Sequence, residues 1–114
     1  MDDGTVIVIN RAGMGHGDTA LTRDKLAPAF FNMLDLGDKL PAAICFYAEG
    51  VHLTLDDSPV LEELKSLESK GVDLIVCTTC LNFYEAMDRL AVGEAAGMKE
   101  IVDAQWGAGK VITI

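Results

Sequence analysis

Gly71-Val72-Asp73-Leu74-Ile75-Val76-Cys77-Thr78-Thr79-Cys80-Leu81-Asn82-Phe83-Tyr84 decides the fold. A buried-type apolar run ends at Cys77 and an amphipathic segment begins at Leu81, so a strand gives way to a helix within a few residues. Such junctions form the carboxyl edge of open α/β sheets, where these folds keep their chemistry. A cysteine in the first turn of a helix faces unpaired backbone N–H groups and the positive end of the helix dipole, which favour thiolate over thiol. Cys80 stands in that turn and is expected to be the accessible, low-pKa nucleophile. Cys77 closes the strand and is expected to pack as a small hydrophobe, because its strand position would have to distort for the two sulfurs to bond.

Working outward, further strands are expected at 5–10, 42–47 and 110–114, with a weaker fifth at 100–103. Several of these runs are continuously apolar, as strands covered on both faces are. Helical patterns separate them. Ser58 reads as an N-cap, with Pro59 at the first helical position, Glu62 and Glu63 in the first turn, and Gly71 as the stop of a helix over 58–70. An earlier helix offers Leu26, Phe30, Met33 and Leu34 as its core stripe. Pro28 either kinks it or marks a start near Ala27. A third, over 81–90, places Leu81, Tyr84, Met87 and Leu90 or Ala91 on one side. Right-handed crossovers then predict an α/β fold: a mostly parallel five-stranded sheet with helices on both sides.

The 114 residues, half of them hydrophobic, suit one domain over 1–114 with its own core. No run approaches the roughly 20 apolar residues of a membrane span, and Met1-Asp2-Asp3-Gly4 lacks the basic and apolar regions of a signal peptide. A cytoplasmic protein without a membrane partner is the expectation. With 18 acidic against 9 scattered basic residues, nucleic-acid binding is excluded as well. Three cysteines in such a chain argue against a disulfide framework. Cys45, between Ile44 and Phe46, reads as core.

Two loops at the same sheet edge supply candidate binding residues. After the first strand, Asn10-Arg11-Ala12-Gly13-Met14-Gly15-His16-Gly17-Asp18 can adopt positive φ and bring backbone N–H groups close to a bound group. It lacks the Lys-Ser/Thr of a phosphate loop and the glycine spacing of a dinucleotide site, so no cofactor is expected. His16 could transfer a proton or hydrogen bond a ligand. After the second strand, Glu49 and Gly50 reach the same edge, where Glu49 could tune the thiol, and Thr79 lies between the two cysteines. One cysteine pair with two distant histidines falls short of a structural zinc set, so no metal is expected.

Three blocks carry a resemblance: the Gly-Met-Gly-His-Gly-Asp of 13–18, Glu49-Gly50-Val51-His52-Leu53-Thr54, and the stretch quoted at the outset. Together they resemble the DsrE/DsrF-like family, and within it the DsrE-like domain of YedF selenium-metabolism proteins. The resemblance implies a flavodoxin-like three-layer sandwich that assembles as a homotrimer or homohexamer. It also implies a cysteine, matching Cys80, that carries sulfur or selenium as a persulfide-type species in relay with a small carrier of the TusA/SirA type. The chain begins directly at the DsrE-like part, so that carrier is expected to be a separate polypeptide. Glu85, Asp88 and Arg89 stand where DsrE subunits carry a basic pair, so the carrier-docking surface is expected to differ.

The sequence thus points to a sulfurtransferase-like carrier in which Cys80 accepts a sulfane sulfur and passes it to a partner thiol. Gly13 to Asp18, Glu49, Gly50 and Thr79 would shape the pocket. Cys77 is either a resolving thiol or core. A dithiol/disulfide redox protein using both cysteines, and a non-catalytic oligomeric binding module, are the competing readings.

Overall fold

The computed structural model describes residues 4–114; the Met1-Asp2-Asp3 part of the signal-peptide reading lies outside the described residues. Five parallel strands form one sheet in the order β4-β3-β2-β1-β5. They are β1 (Thr5–Ile9), β2 (Ala43–Phe46), β3 (Asp73–Cys77), β4 (Glu94–Ala96) and β5 (Lys110–Thr113). Residues of β1 and β2 are buried throughout, as central parallel strands require.

Chain order runs steadily across the sheet from β1 to β4 and then returns past three strands to β5. With right-handed crossovers this puts the connections from β1 to β4 on one face and α5 (Met98–Trp106) on the other, giving three layers. The register agrees. Ile7, Ile44 and Leu74 are in line and share a face, whereas Ile75 aligns with Glu94 and lines a groove with Ala104 of α5.

The fifth strand corrects the sequence reading. Glu100 to Asp103 lie inside α5, with Ile101 as its buried residue, and the edge strand is the three-residue Glu94–Ala96. Glu-Ala-Ala has little strand propensity, and its extension comes from pairing with β3.

Between β1 and β2 the chain is helical from α1 (Thr19–Leu21) through a π-type turn (Thr22–Leu26) into α2 (Ala27–Leu36). Pro28 sits in the first turn of α2, where its missing N–H costs little, and the widened turn before it absorbs the interruption. That extra residue rotates the helix. Ala27 and Phe31 are fully buried, while Met33, assigned to the core from its spacing, is 67% exposed, and Leu26 is exposed too.

The helix α3 (Leu61–Ser69) begins later than Ser58. Ser58 Oγ accepts from Val60 N–H at 3.2 Å and thereby caps a turn, and Val60 is the helix cap, its carbonyl accepting from Leu64 N–H. Val60, Leu64 and Leu67 are buried, and Gly71 with φ +99° ends the segment.

The helix after β3 is also shorter than expected. α4 (Thr78–Phe83) stops where Glu85 enters the left-handed region at φ +53° and Ala86 N–H donates back to Leu81 carbonyl. A 3₁₀ turn (Met87–Arg89) and a bridge between Leu90 and Leu55 follow. Arg89 donates twice to Asp56 Oδ1, tying this turn to the loop before α3.

Candidate functional site

Because β3, β2 and β1 are adjacent and parallel, the three segments leaving their carboxyl ends are neighbours. They are α4 with its cysteines, a 3₁₀ segment (Ala48–Thr54), and the glycine-rich loop 10–18. The middle segment touches both others, and two backbone approaches hold it in place. Tyr47 N–H donates to Ile9 carbonyl at 3.1 Å and Gly50 N–H to Tyr47 carbonyl at 2.9 Å. Gly50 lies so close to β1 that an added Cβ would stand 1.9 Å from Ile9 carbonyl oxygen, so this position requires glycine for space.

Cys77 is the N-cap of α4, with its Sγ accepting from Cys80 N–H at 3.4 Å. Cys80 is therefore the third helical residue, one turn on, and its Sγ–H donates to Cys77 Sγ at 3.0 Å. The two sulfurs are already in contact, so the distortion expected from Cys77's strand position is not required; the strand ends at the cap and turns its last side chain toward the helix start. Cys77 is 1% exposed and Cys80 is half-buried, which leaves Cys80 as the sulfur that outside molecules can reach.

On its other side Cys80 Sγ accepts from Ala48 N–H at 3.1 Å. Ala48 holds φ +51°, a conformation that alanine rarely adopts, and this aims its N–H at the sulfur. Ala48 was not among the residues singled out from sequence, because an alanine at positive φ carries no compositional signal.

The electrostatics differ from expectation. Burial, followed by the hydrogen bond to Cys77, pushes the Cys80 thiol above its ordinary value; the Ala48 N–H opposes this without overturning it. A helix of six residues has a weak dipole, and the Cys80 N–H, which also donates to Cys77 Sγ at 3.4 Å, lowers the thiol's pKa too little to offset burial. Cys45, fully buried in β2, is pushed up to about 11 by burial and by nearby Asp73.

The glycine-rich loop and Glu49 line one small cleft of about 80 Å³, with Arg11, Gly13, Gly15, His16 and Gly17 around it. Gly13 is buried against Thr22, where a Cβ would come within 2.6 Å of the backbone, and Met14 N–H donates to Thr22 carbonyl. Asp18 caps α1 by accepting from Ala20 N–H, so its carboxylate has a structural partner. Arg11 Nη1 donates to His16 Nδ1 at 2.9 Å, which leaves Nε2 as the protonated ring nitrogen of neutral His16. Gly50 is buried and does not line the cleft, and Thr79 is exposed on α4. Neither cysteine lines the cleft; the two parts of the edge are joined through Ala48 and Glu49. Tyr84 packs on His52, ring centroids 4.4 Å apart, and Phe83 beside it is 79% exposed. Among the described residues no three His, Cys, Asp or Glu side chains converge as a metal site. No helix among them is long and apolar enough to cross a membrane.

The fold agrees with comparisons to known proteins. The chain belongs to the DsrE/DsrF-like family, whose family model matches residues 4–114. A protein of unknown function from Methanobacterium thermoautotrophicum shares its fold at a TM-score of 0.66 and 22% identity, over 96% of this chain and 97% of that one. The ychN protein of E. coli does so at 0.64 and 18%, over 96% and 98%. No curated protein matches the chain.

Proposed function

We propose that this protein is a sulfur carrier in which Cys80 accepts a sulfane sulfur as a persulfide and hands it to a partner thiol. The observation that carries the reading is the setting of Cys80 Sγ. It is half-buried at the carboxyl edge of the sheet, backed by a second thiol, and receives the Ala48 N–H at 3.1 Å. Exchange proceeds by attack of a thiolate on a donor persulfide, and a fixed N–H donor stabilises negative charge on sulfur as it forms and as it leaves. The resting thiol is protonated, so loading requires loss of that proton at or before attack.

Family membership supports the relay chemistry. The likeness of 13–18 and 71–84 to YedF proteins supports selenium as an alternative cargo, a cytoplasmic setting and a TusA/SirA-type carrier as the exchange partner. Met98, Val102 and Trp106 recur every fourth residue on α5 and are all exposed, which supports a homotrimeric or homohexameric assembly. A dithiol redox protein is the second reading, favoured by the 3.0 Å approach of the two sulfurs.

Intact mass after incubation with a persulfide donor tests the first reading. A reductant-sensitive gain of about 32 Da that is abolished in Cys80→Ser and retained in Cys77→Ser supports it. Absence of any sulfur gain in both wild type and Cys77→Ser refutes it.

A further inference from the structure

We propose that Cys77 is an internal resolving thiol that discharges the Cys80 persulfide as hydrosulfide, because its Sγ is buried against the inner sulfur of the loaded cysteine. This deepens, and rests on, the reading of Cys80 as the persulfide site. Cys77 is 1% exposed, so an external donor reaches Cys80 first and Cys77 can react only with what Cys80 carries. The two sulfurs lie 3.0 Å apart within one helical turn. That is near-attack distance, and a thiol held so close acts at a very high effective concentration.

Position selects the atom attacked. An incoming sulfur must attach on the open side of Cys80, whereas Cys77 lies on the protein side, next to Cys80 Sγ itself. In the discharge step Cys77 Sγ loses its proton and forms a bond to Cys80 Sγ. The bond from Cys80 Sγ to the outer sulfur breaks, and that sulfur leaves with the bonding pair and takes up a proton as hydrosulfide. The sulfane sulfur is reduced by two electrons and the two cysteines are oxidised to a disulfide, so a single turnover needs no further oxidant or reductant. Repeated turnover requires an external dithiol reductant to reopen the disulfide. Loaded Cys80 therefore has two exits: transfer to a partner thiol, or release as hydrosulfide when no partner is docked.

The test uses the full chain under argon with one equivalent of glutathione persulfide, following intact mass and free hydrosulfide together. Wild type is expected to pass through the form heavier by about 32 Da and to settle about 2 Da below its starting mass, with one hydrosulfide released per chain. Cys77→Ser keeps an oxygen acceptor at the helix cap and is expected to stall in the loaded form, living at least about tenfold longer than in wild type. Cys77→Ala should stall in the same way if it folds, and Cys80→Ser should neither load nor release. If wild type and Cys77→Ser hold the added sulfur equally long, the resolving role is overturned while the carrier reading stands. If wild type loads and Cys77→Ser does not, Cys77 serves loading rather than discharge and the resolving role is overturned; if neither ever loads, the carrier reading fails and this proposal falls with it.

Discussion

Replacing Gly50 by alanine probes the backbone approach that builds the site. The glycine φ lies outside the left-handed region, so alanine is conformationally acceptable there, and the penalty is steric. The new Cβ would stand 1.9 Å from Ile9 oxygen and 2.6 Å from Ile9 carbonyl carbon, both backbone atoms that no rotamer change can move. Restoring an ordinary contact of at least 3.4 Å requires the 3₁₀ segment to retreat from β1 by about 1.5 Å. Such a retreat strains the Tyr47 and Gly50 hydrogen bonds, at about 1 kcal/mol each, in addition to an overpacking cost of about 1–3 kcal/mol. A loss of about 3–5 kcal/mol follows, which at about 4 °C per kcal/mol lowers Tm by roughly 12–20 °C.

The same movement draws Ala48 N–H off Cys80 Sγ, so persulfide loading should fall together with stability. Urea unfolding followed by circular dichroism, with loading measured at a temperature where the variant is folded, checks both. Gly71→Ala is the control: φ is +99° but nothing lies within 4 Å of the added Cβ, so only a conformational cost of about 1–2 kcal/mol is expected, and no effect on loading. A Gly50→Ala protein within about 0.5 kcal/mol of wild type would refute the steric argument.

The raised Cys80 thiol should make iodoacetamide labelling slow at neutral pH, rising about tenfold per pH unit with no plateau at the ordinary cysteine value of about 8.5; Cys77→Ala, by removing the Cys77 hydrogen bond, should accelerate labelling several-fold at pH 7.5, and an early plateau in wild type would contradict this. Cys45 should resist labelling in the native state by at least about 10³-fold relative to the unfolded chain, so its modification reports global opening; labelling as fast as Cys80 would show that β2 is accessible. The hydrogen bond from Lys70, then that from Ser66, holds the Asp35 carboxyl below its ordinary range, so their contribution is full above the unfolded value and disappears as pH falls through the lower folded one. Asp35→Asn should therefore destabilise modestly at pH 7 and be indistinguishable from wild type in strong acid, and an equal effect at both, read by urea midpoint, would point to packing instead.

Much of the architecture follows from local pattern. The apolar runs ending at Ile9, Phe46 and Cys77 are legible as parallel strands because both of their faces are buried, and Gly71 marks a stop because only glycine accepts its φ of +99° cheaply. The edge strand was misplaced because Glu94–Ala96 has no strand-like composition and is extended only by its bonds to β3, while Ile101-Val102 has such a composition and is helical. The face of α2 was misjudged because the π-type turn before Pro28 adds a residue that no 3.6-residue periodicity anticipates.

The candidate site divides in the same way. Chain order alone brings Cys80, the glycine-rich loop and Glu49 to one edge, since each directly follows a strand that sequence pattern identifies. Strand order made those edges adjacent; the contact of Cys77 Sγ with Cys80 is the local geometry of a helix cap, and only tertiary packing put the Ala48 N–H against the Cys80 sulfur and buried that thiol enough to raise its pKa. Periodicity and capping are properties of a few consecutive residues, and sequence carries them. The protonation and reach of a thiol depend on burial and on partners about thirty residues away, as Ala48 is from Cys80, and those exist only once the chain has folded.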